Sequence, residues 1–458
     1  MKPSPPGPSL SRDLEQGQSP GKDTFRRSLL LAAATYGLGQ IANFTFQLRL
    51  LDQLGTSVYG TVGLAHLLLT TLIFLADLGY TSLFLRERSG SIEWDRTWRY
   101  ALGHRMIATL LLLAAVMVGW PLWSDDKSSQ EYLIGAAAGC LFALFNYSSP
   151  MITEGRRLGG LLIAQVAWPC ALLSWWLLQQ ISPLSPAVSA GVAVSLGYLA
   201  QAIISVICSR HLLLWLPLAG KGQLGAALHL SLLGVWGTLH DRLTPFLLAP
   251  LAPTFLPFFL ILNHILSGLS GVVVQFSRLL LPDATHSRGR ANILSAASLV
   301  LWGTAAALFV VPLMGNVELS TDQKEWLALG AIVLLAWGIS TSGGFLALLL
   351  ISARQERPLA RLQGAGLAFS ALLQAGAAWI GDPGYLLWAR VIGLLAILVA
   401  MLMLQHLRPS RWGVAALMLS MLACTGVGQS PVLGLVLLLS ATVALWRRSS
   451  CYVEPLKP

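Results

Sequence analysis

Apolar stretches of membrane-spanning length alternate with short polar segments along almost the whole chain. A helix needs about 20 apolar residues to cross a hydrocarbon core of ~30 Å. Runs of that kind predict helices near 28–49, 58–85, 100–123, 131–150, 158–180, 186–209, 226–250, 254–281, 292–314, 327–352, 360–380, 384–407, 412–427 and 431–446. The last two runs are short and fit either tilted spans or a shallow re-entrant pair. Polar residues inside such runs carry the information, because exposing them to lipid is costly and a protein interior or a wet cavity is the alternative. In the first helix Tyr36, Gln40, Asn43 and Gln47 share a face. In the second, Tyr59, Gly63, His66, Thr70, Asp77 and Thr81 fall within an arc of about 60° at ~100° per residue. These stripes are read as one wall of a central transport cavity, with hydrogen bonding between helices as the structural alternative for the first of them.

The second half repeats the theme. His240-Asp241-Arg242 lies near the middle of its helix, where isolated charges are expensive. Neighbours in a helix point about 100° apart, so Asp241 and Arg242 are poorly placed to pair with each other. Each needs a partner on another helix or water. A guanidinium is the natural fork for phosphate or carboxylate oxygens, so Arg242 is either an anion contact or half of a structural ion pair. His264, Gly268, Gly271, Gln275 and Arg278 share a face of the following helix. Arg278 sits at its inner mouth, as cavity lining or as an interface anchor. Arg390 is either a second anion contact or a side chain reaching to the outer interface. Asp77, Asp241 and His66 are the candidates for carrying a coupling ion, since burial raises a carboxylate pKa and histidine titrates near neutrality. Asp77 has the alternative of pairing with an arginine of the inner loop. A faint repeat links the halves at an offset near 197 residues: LLDQLGTSVYG (50–60) lies over LLAPLAPTFLP (247–257), and His66 over Asn263, beside His264.

Composition agrees with a membrane chain: 55% of the 458 residues are hydrophobic and 11% charged, against roughly 25% charged in soluble domains. The formal net charge of +10 would suit nucleic acid, but its placement assigns it to membrane topology. With the N-terminus inside, the basic residues gather in inner segments, from Arg26 and Arg27 through Arg86, Arg88, Arg156 and Arg157 to Arg447 and Arg448. Arg49, Lys127 and Lys324 lie at the outer side, and Arg242 and Arg390 within spans. This asymmetry predicts both termini in the cytoplasm of a plasma (inner) membrane protein. Cys140, Cys170, Cys208, Cys424 and Cys451 show no paired spacing, so no disulfide or metal framework is expected. No nucleophile constellation or phosphate-binding loop appears, so no catalytic residue, metal or cofactor is assigned, and H+ or Na+ remains as a coupling ion. Outer loops are short, which leaves no domain for an outer-face polymerase.

Three segments resemble a known family: the turn with Leu54, Gly55, Tyr59 and Gly60, the stretch LADLGYTSLFLRE, and LLLPDATHSRGR at the end of the eighth helix, together with the intramembrane Asp241-Arg242. They are similar to the polysaccharide-biosynthesis (O-antigen type) flippases of the multidrug/oligosaccharidyl-lipid/polysaccharide (MOP) exporter superfamily. The resemblance implies twelve to fourteen helices in two lobes around a central cavity, and with the runs above the expected fold is an all-α polytopic membrane protein of about 14 transmembrane helices, two six-helix lobes and a C-terminal helix pair. The expected divisions are a disordered cytoplasmic tail (1–22), an N-terminal lobe (23–210), a C-terminal lobe (211–407), the extra pair (408–446) and a cytoplasmic tail (447–458). It implies alternating access that carries a polyprenyl-pyrophosphate-linked oligosaccharide from the inner to the outer leaflet, for surface polysaccharide or O-antigen. Arg242 and Arg390 then match cationic cavity groups, with Asn43, Gln47, His264 and Arg278 as further lining. The implied partners are membrane lipids and a polysaccharide polymerase or assembly protein, with no nucleic acid. The alternatives are an ion-coupled antiporter of drugs or small molecules from the same superfamily, and a membrane glycan polymerase.

Overall fold

The computed structural model describes residues 22–86, 92–153, 157–181, 183–209, 215–280, 287–310, 320–409, 411–424, 439 and 452–453. It is an all-helical polytopic membrane fold. Eight described helices are long and apolar enough to cross a membrane. The first, α1 (Lys22–Ala76), is two spans joined at Gly55, whose φ of 72° and ψ of 167° interrupt the helix. This conformation is open to glycine because it lacks a Cβ. The chain continues through α2 (Tyr80–Arg86), α3 (Ile92–Trp123), α4 (Lys127–Phe142), α5 (Ser148–Thr153), α6 (Arg157–Gln165), α7 (Ala167–Ile181) and α8 (Pro186–Ser209). The second lobe begins with α9 (Leu224–Leu251) and α10 (Leu256–Leu280). It continues with α11 (Ser287–Val310), α12 (Thr321–Ser352), α13 (Glu356–Ile380) and α14 (Pro383–Leu404), and α15 (Arg411–Cys424) packs against α11 and α12.

Most boundaries fall within a few residues of the pattern of apolar runs, α3 and α12 begin earlier than expected, at Ile92 and Thr321, and three runs break for local reasons. The run expected at 58–85 stops at Ala76, because Leu78 and Gly79 adopt positive φ (52° and 80°). Asp77 then opens α2 by accepting hydrogen bonds from the Thr81 backbone N–H and hydroxyl. The run expected at 131–150 ends at Phe142, and Asn146 starts a new turn by accepting from the Ser148 N–H. The run expected at 158–180 breaks at Val166, just before Pro169, which cannot donate to the preceding turn. A two-residue ladder, β1 (Arg408–Pro409) with β2 (Tyr452–Val453), brings the chain beyond α15 back to the end where α15 began. The run expected at 431–446 lies outside the described residues apart from Leu439, as do the tail 1–21 and most of 447–458.

Lipid tails supply no hydrophobic drive between helices, so close backbone approach and hydrogen bonds hold such a fold. The tightest seam is α4 against α8. A Cβ on Gly135 would lie 2.8 Å from the Val188 carbonyl, and one on Gly139 3.2 Å from the Ser195 Cα. Gly191 faces the Tyr132 carbonyl with no room for any side chain. Ser195 locks the crossing: its hydroxyl donates to the Gly135 carbonyl (2.7 Å) and accepts from the Gly139 N–H (2.9 Å). Gly135–Gly139 and Gly191–Ser195 are thus paired small residues four apart on facing helices. The repeat is also physical: the break at Gly55 and the α9–α10 turn beginning at Ala252 differ by the offset read in the sequence. Gly191→Leu should cost about 1–3 kcal/mol of overpacking or more, read as loss of a monodisperse peak in detergent. Gly119→Leu, at a glycine with open space, should leave the elution profile unchanged.

Candidate functional site

The polar stripes of the two halves meet at the seam between lobes. Gly60 and Gly63 on the second arm of α1 pack against Leu256 and Leu260 of α10. On the first arm, Tyr36 fills the notch left by Gly271, and Gln40 lies against Gly268. The stripes expected to line an open cavity are therefore in mutual contact in this conformation. At the centre of the seam His66 is buried, and its Nδ1 is 2.6 Å from the Tyr132 hydroxyl. The imidazole sits edge-on to Trp168 at 5.4 Å and tilted to His264 at 6.0 Å. Tyr59 donates to the Gln47 side-chain carbonyl at 3.2 Å. The Gln47 amide nitrogen and the Asn43 Oδ1 are buried without a partner among the described residues.

Arg242 faces the same region, close enough for its charge to act on both His66 and His264. Its Nε is buried and has no hydrogen-bond partner among the described residues. A buried donor without an acceptor costs of order 1–3 kcal/mol and more when charged, so this group is poised for an oxygen ligand. Asp241, as its helical position requires, looks elsewhere: its carboxylate accepts from Arg390 of α14 at 3.0 Å. The pair is lopsided, with the Arg390 side chain 6% exposed and that of Asp241 51%. Arg390 thus binds an internal carboxylate, while Asp382 caps α14 by accepting from the Tyr385 N–H. A cavity of about 50 Å3 adjoins the pair, walled by Asn263, Ser267, Ser270 and Trp337, with room for a few waters. Arg278 lies in α10, but its side chain is outside the described residues.

Two arrangements escaped the reading of the sequence. The first is a buried network between α9 and α13: His240 Nε2 lies 2.9 Å from the Ser370 hydroxyl, which accepts from Gln374, while Thr244 donates to the Gln374 carbonyl. Its signal was present, since His240/Thr244 and Ser370/Gln374 are both i, i+4 pairs in apolar helices. The second lies at the end of the fold where α2 begins and ties α3 to the stretch before α9. Asp77 sits there in the turn before α2, 3.5 Å from Arg105 of α3, an arginine pairing of the kind given above as its alternative, and does not continue the stripe of His66. His104 bridges the Tyr80 hydroxyl (2.7 Å) and the Gly220 carbonyl (2.6 Å), and Arg99 donates to the Leu216 carbonyl. Gly79 presses on the α9 backbone at Ala227 and Ser231. The lobes therefore touch at both ends, through Gly60/Gly63 on α10 and Gly79 on α9.

No protein-family model matches the chain, and no curated protein matches it. Solved structures do. One titled lipid II flippase MurJ, inward closed conformation, aligns with a TM-score of 0.60 at 11% identity, over 93% of this chain and 96% of the other. The eukaryotic MATE transporter AtDTX14 aligns at 0.56 and 11% identity, over 87% and 98%. A MOP superfamily transporter from Pyrococcus furiosus aligns at 0.55 and 13% identity, over 92% and 96%. Across nearly its full length, the chain has the fold of the MOP superfamily transporters.

Proposed function

We propose that this protein is a flippase for a polyprenyl-pyrophosphate-linked oligosaccharide, moving it from the cytoplasmic to the outer leaflet of the plasma membrane by alternating access. The observation that carries the reading is Arg242 at the lobe seam, whose Nε is buried and has no hydrogen-bond partner among the described residues. A pyrophosphate offers the acceptors it lacks, and guanidinium–phosphate pairing is charge-assisted. Asn43, Gln47 and His264 on facing helices would meet sugar hydroxyls once the lobes part. Positive-inside charge places the termini in the cytoplasm, and the inner belt of Asp77, Arg105, His104 and Arg99 then becomes the inner closure. A polysaccharide polymerase or assembly protein is the expected receiver of the cargo.

Asp241 is the proposed point of ion coupling. A proton or Na+ arriving there competes with Arg390 and loosens α9 from α14, on the helix that carries Arg242. His66 and Asp77 rank behind it, because neither lies on α9, the helix that carries Arg242. The aromatic surroundings of His66 favour a second reading, an ion-coupled antiporter of small organic molecules. The buried positive charge of Arg242 weighs against cationic drugs as its substrate.

Reconstituted in vesicles with a lipid-linked oligosaccharide, Arg242→Ala should slow translocation at least tenfold while Arg242→Lys keeps part of the rate. Translocation unchanged in Arg242→Ala removes the residue from the mechanism, and drug efflux without glycan transfer favours the antiporter. Removing Asp241 strands a buried cation, whereas removing Arg390 leaves a half-exposed carboxylate that water can reach. Asp241→Ala should therefore lower thermal stability in detergent more than Arg390→Ala, by about 2–3 kcal/mol, below the ~3–5 kcal/mol of a fully buried broken pair. The reverse order would contradict this placement of the pair.

A further inference from the structure

A groove of about 460 Å3 lies on the lipid-facing side of the first lobe, between the first arm of α1 and α7. It is separate from the lobe seam: α1 turns Tyr36, Gln40, Asn43 and Gln47 toward the interior and Leu38, Ile41, Ala42, Thr45 and Arg49 toward the groove. Small side chains at Ala42 and Thr45 make the hollow, and Pro169, Leu172, Leu173 and Trp176 form the opposite wall. Leu38, Ile41, Leu173 and Trp176 are exposed, so the groove opens sideways into the surrounding hydrocarbon.

Its length and its polarity both have a direction. From Leu38 to Arg49 the helix rises about 16 Å at ~1.5 Å per residue, close to half of a ~30 Å hydrocarbon core. The groove therefore spans one leaflet. Apart from Thr45 its lining is apolar until the last turn, where Arg49 and Gln179 both line the groove. Gln179 is held there by donating to Gln53. Arg49 is exposed and makes no ion pair with a described carboxylate, although Asp52 follows one turn later. A chain-length apolar slot ending in a free guanidinium at headgroup depth matches one ligand chemistry: an anionic lipid, with its chain in the slot and its phosphate on the fork.

We infer that this groove is a binding site for an anionic phospholipid of the leaflet at the Arg49 end, one acyl chain lying between α1 and α7 and the phosphate held by Arg49 and Gln179. In the orientation proposed above this is the outer leaflet. The site does not depend on what the protein transports. A lipid seated there braces the back of the helix whose front carries the seam.

The test uses the full chain in nanodiscs containing phosphatidylglycerol and phosphatidylcholine with identical acyl chains, one or the other carrying a photoreactive group in the chain. Adducts are mapped by peptide mass spectrometry. Phosphatidylglycerol should label residues 38–45 and 169–176 at least fivefold more than phosphatidylcholine. Arg49→Gln should bring that ratio to about one, and Arg49→Lys should keep most of it. Thr45→Trp, which fills the slot, should reduce labelling by both lipids, and should it fail to fold, the Arg49 variants decide. Equal labelling in the unaltered protein, or a ratio unaffected by Arg49→Gln, would overturn the site. Polyprenyl phosphate displacing phosphatidylglycerol at equal mole fraction would overturn the phospholipid assignment in favour of a prenyl chain.

Discussion

Inside a hydrocarbon slab, a polar or charged side chain has no solvent to fall back on, and this cost orders the whole molecule. Lipid-facing positions are surrendered to leucine, isoleucine and tryptophan, such as Leu111, Ile134 and Trp379. The polar residues are left with two places to go. Some are consumed in pairs that stitch one helix to the next: Ser195 across α4 and α8, His240 and Thr244 across α9 and α13. Others collect where the lobes meet, and several of these are incompletely satisfied. Asn43 Oδ1, Gln47 Nε2 and Arg242 Nε are buried donors and acceptors without partners among the described residues. Within a rigid scaffold such groups would be a plain loss. At a seam that opens as proposed, they become binding groups kept dry.

The contacts that close the seam are cheap to break and re-form. They centre on glycines: Leu256 and Leu260 of α10 seat against Gly60 and Gly63, Tyr36 against Gly271, and Gly79 on the α9 backbone. Glycine lets helices approach closely, which suits the proposed parting of the lobes at one end while the other stays in contact. The contacts at the α2 end differ in kind. Those of Arg99, His104 and Arg105 are polar and tie α3 both to the turn before α2 and to the stretch leading into α9. The connection between lobes is thus anchored on the first of them.

Much of this was legible in the sequence, because the membrane makes hydropathy a direct record of depth. The spans, the polar faces of the first and eighth helices, and the offset that relates Gly55 to Ala252 could be read from residue order alone. What could not be read falls into two physical classes. Local breaks such as Asp77–Gly79 hide in apolar runs, since one glycine leaves little trace in a hydropathy pattern although its positive φ stops the helix. Pairings between distant helices are invisible one helix at a time. Asp241 needed a partner on another helix, but nothing in residue order selected Arg390, 149 residues away, over a ligand. That pairing changes the balance of the site, because it gives Arg390 an internal carboxylate, whereas Arg242 makes no ion pair with a described carboxylate.

The central claim is that the seam opens to carry a lipid-linked glycan across the bilayer. The most direct measurement is the sidedness of lipid-linked oligosaccharide after depleting the protein, read with an impermeant glycan-modifying enzyme in oriented membrane vesicles. The account predicts accumulation on the cytoplasmic face, reversed by restoring the protein. A distribution that stays unchanged on depletion, in cells with no second flippase, would contradict it.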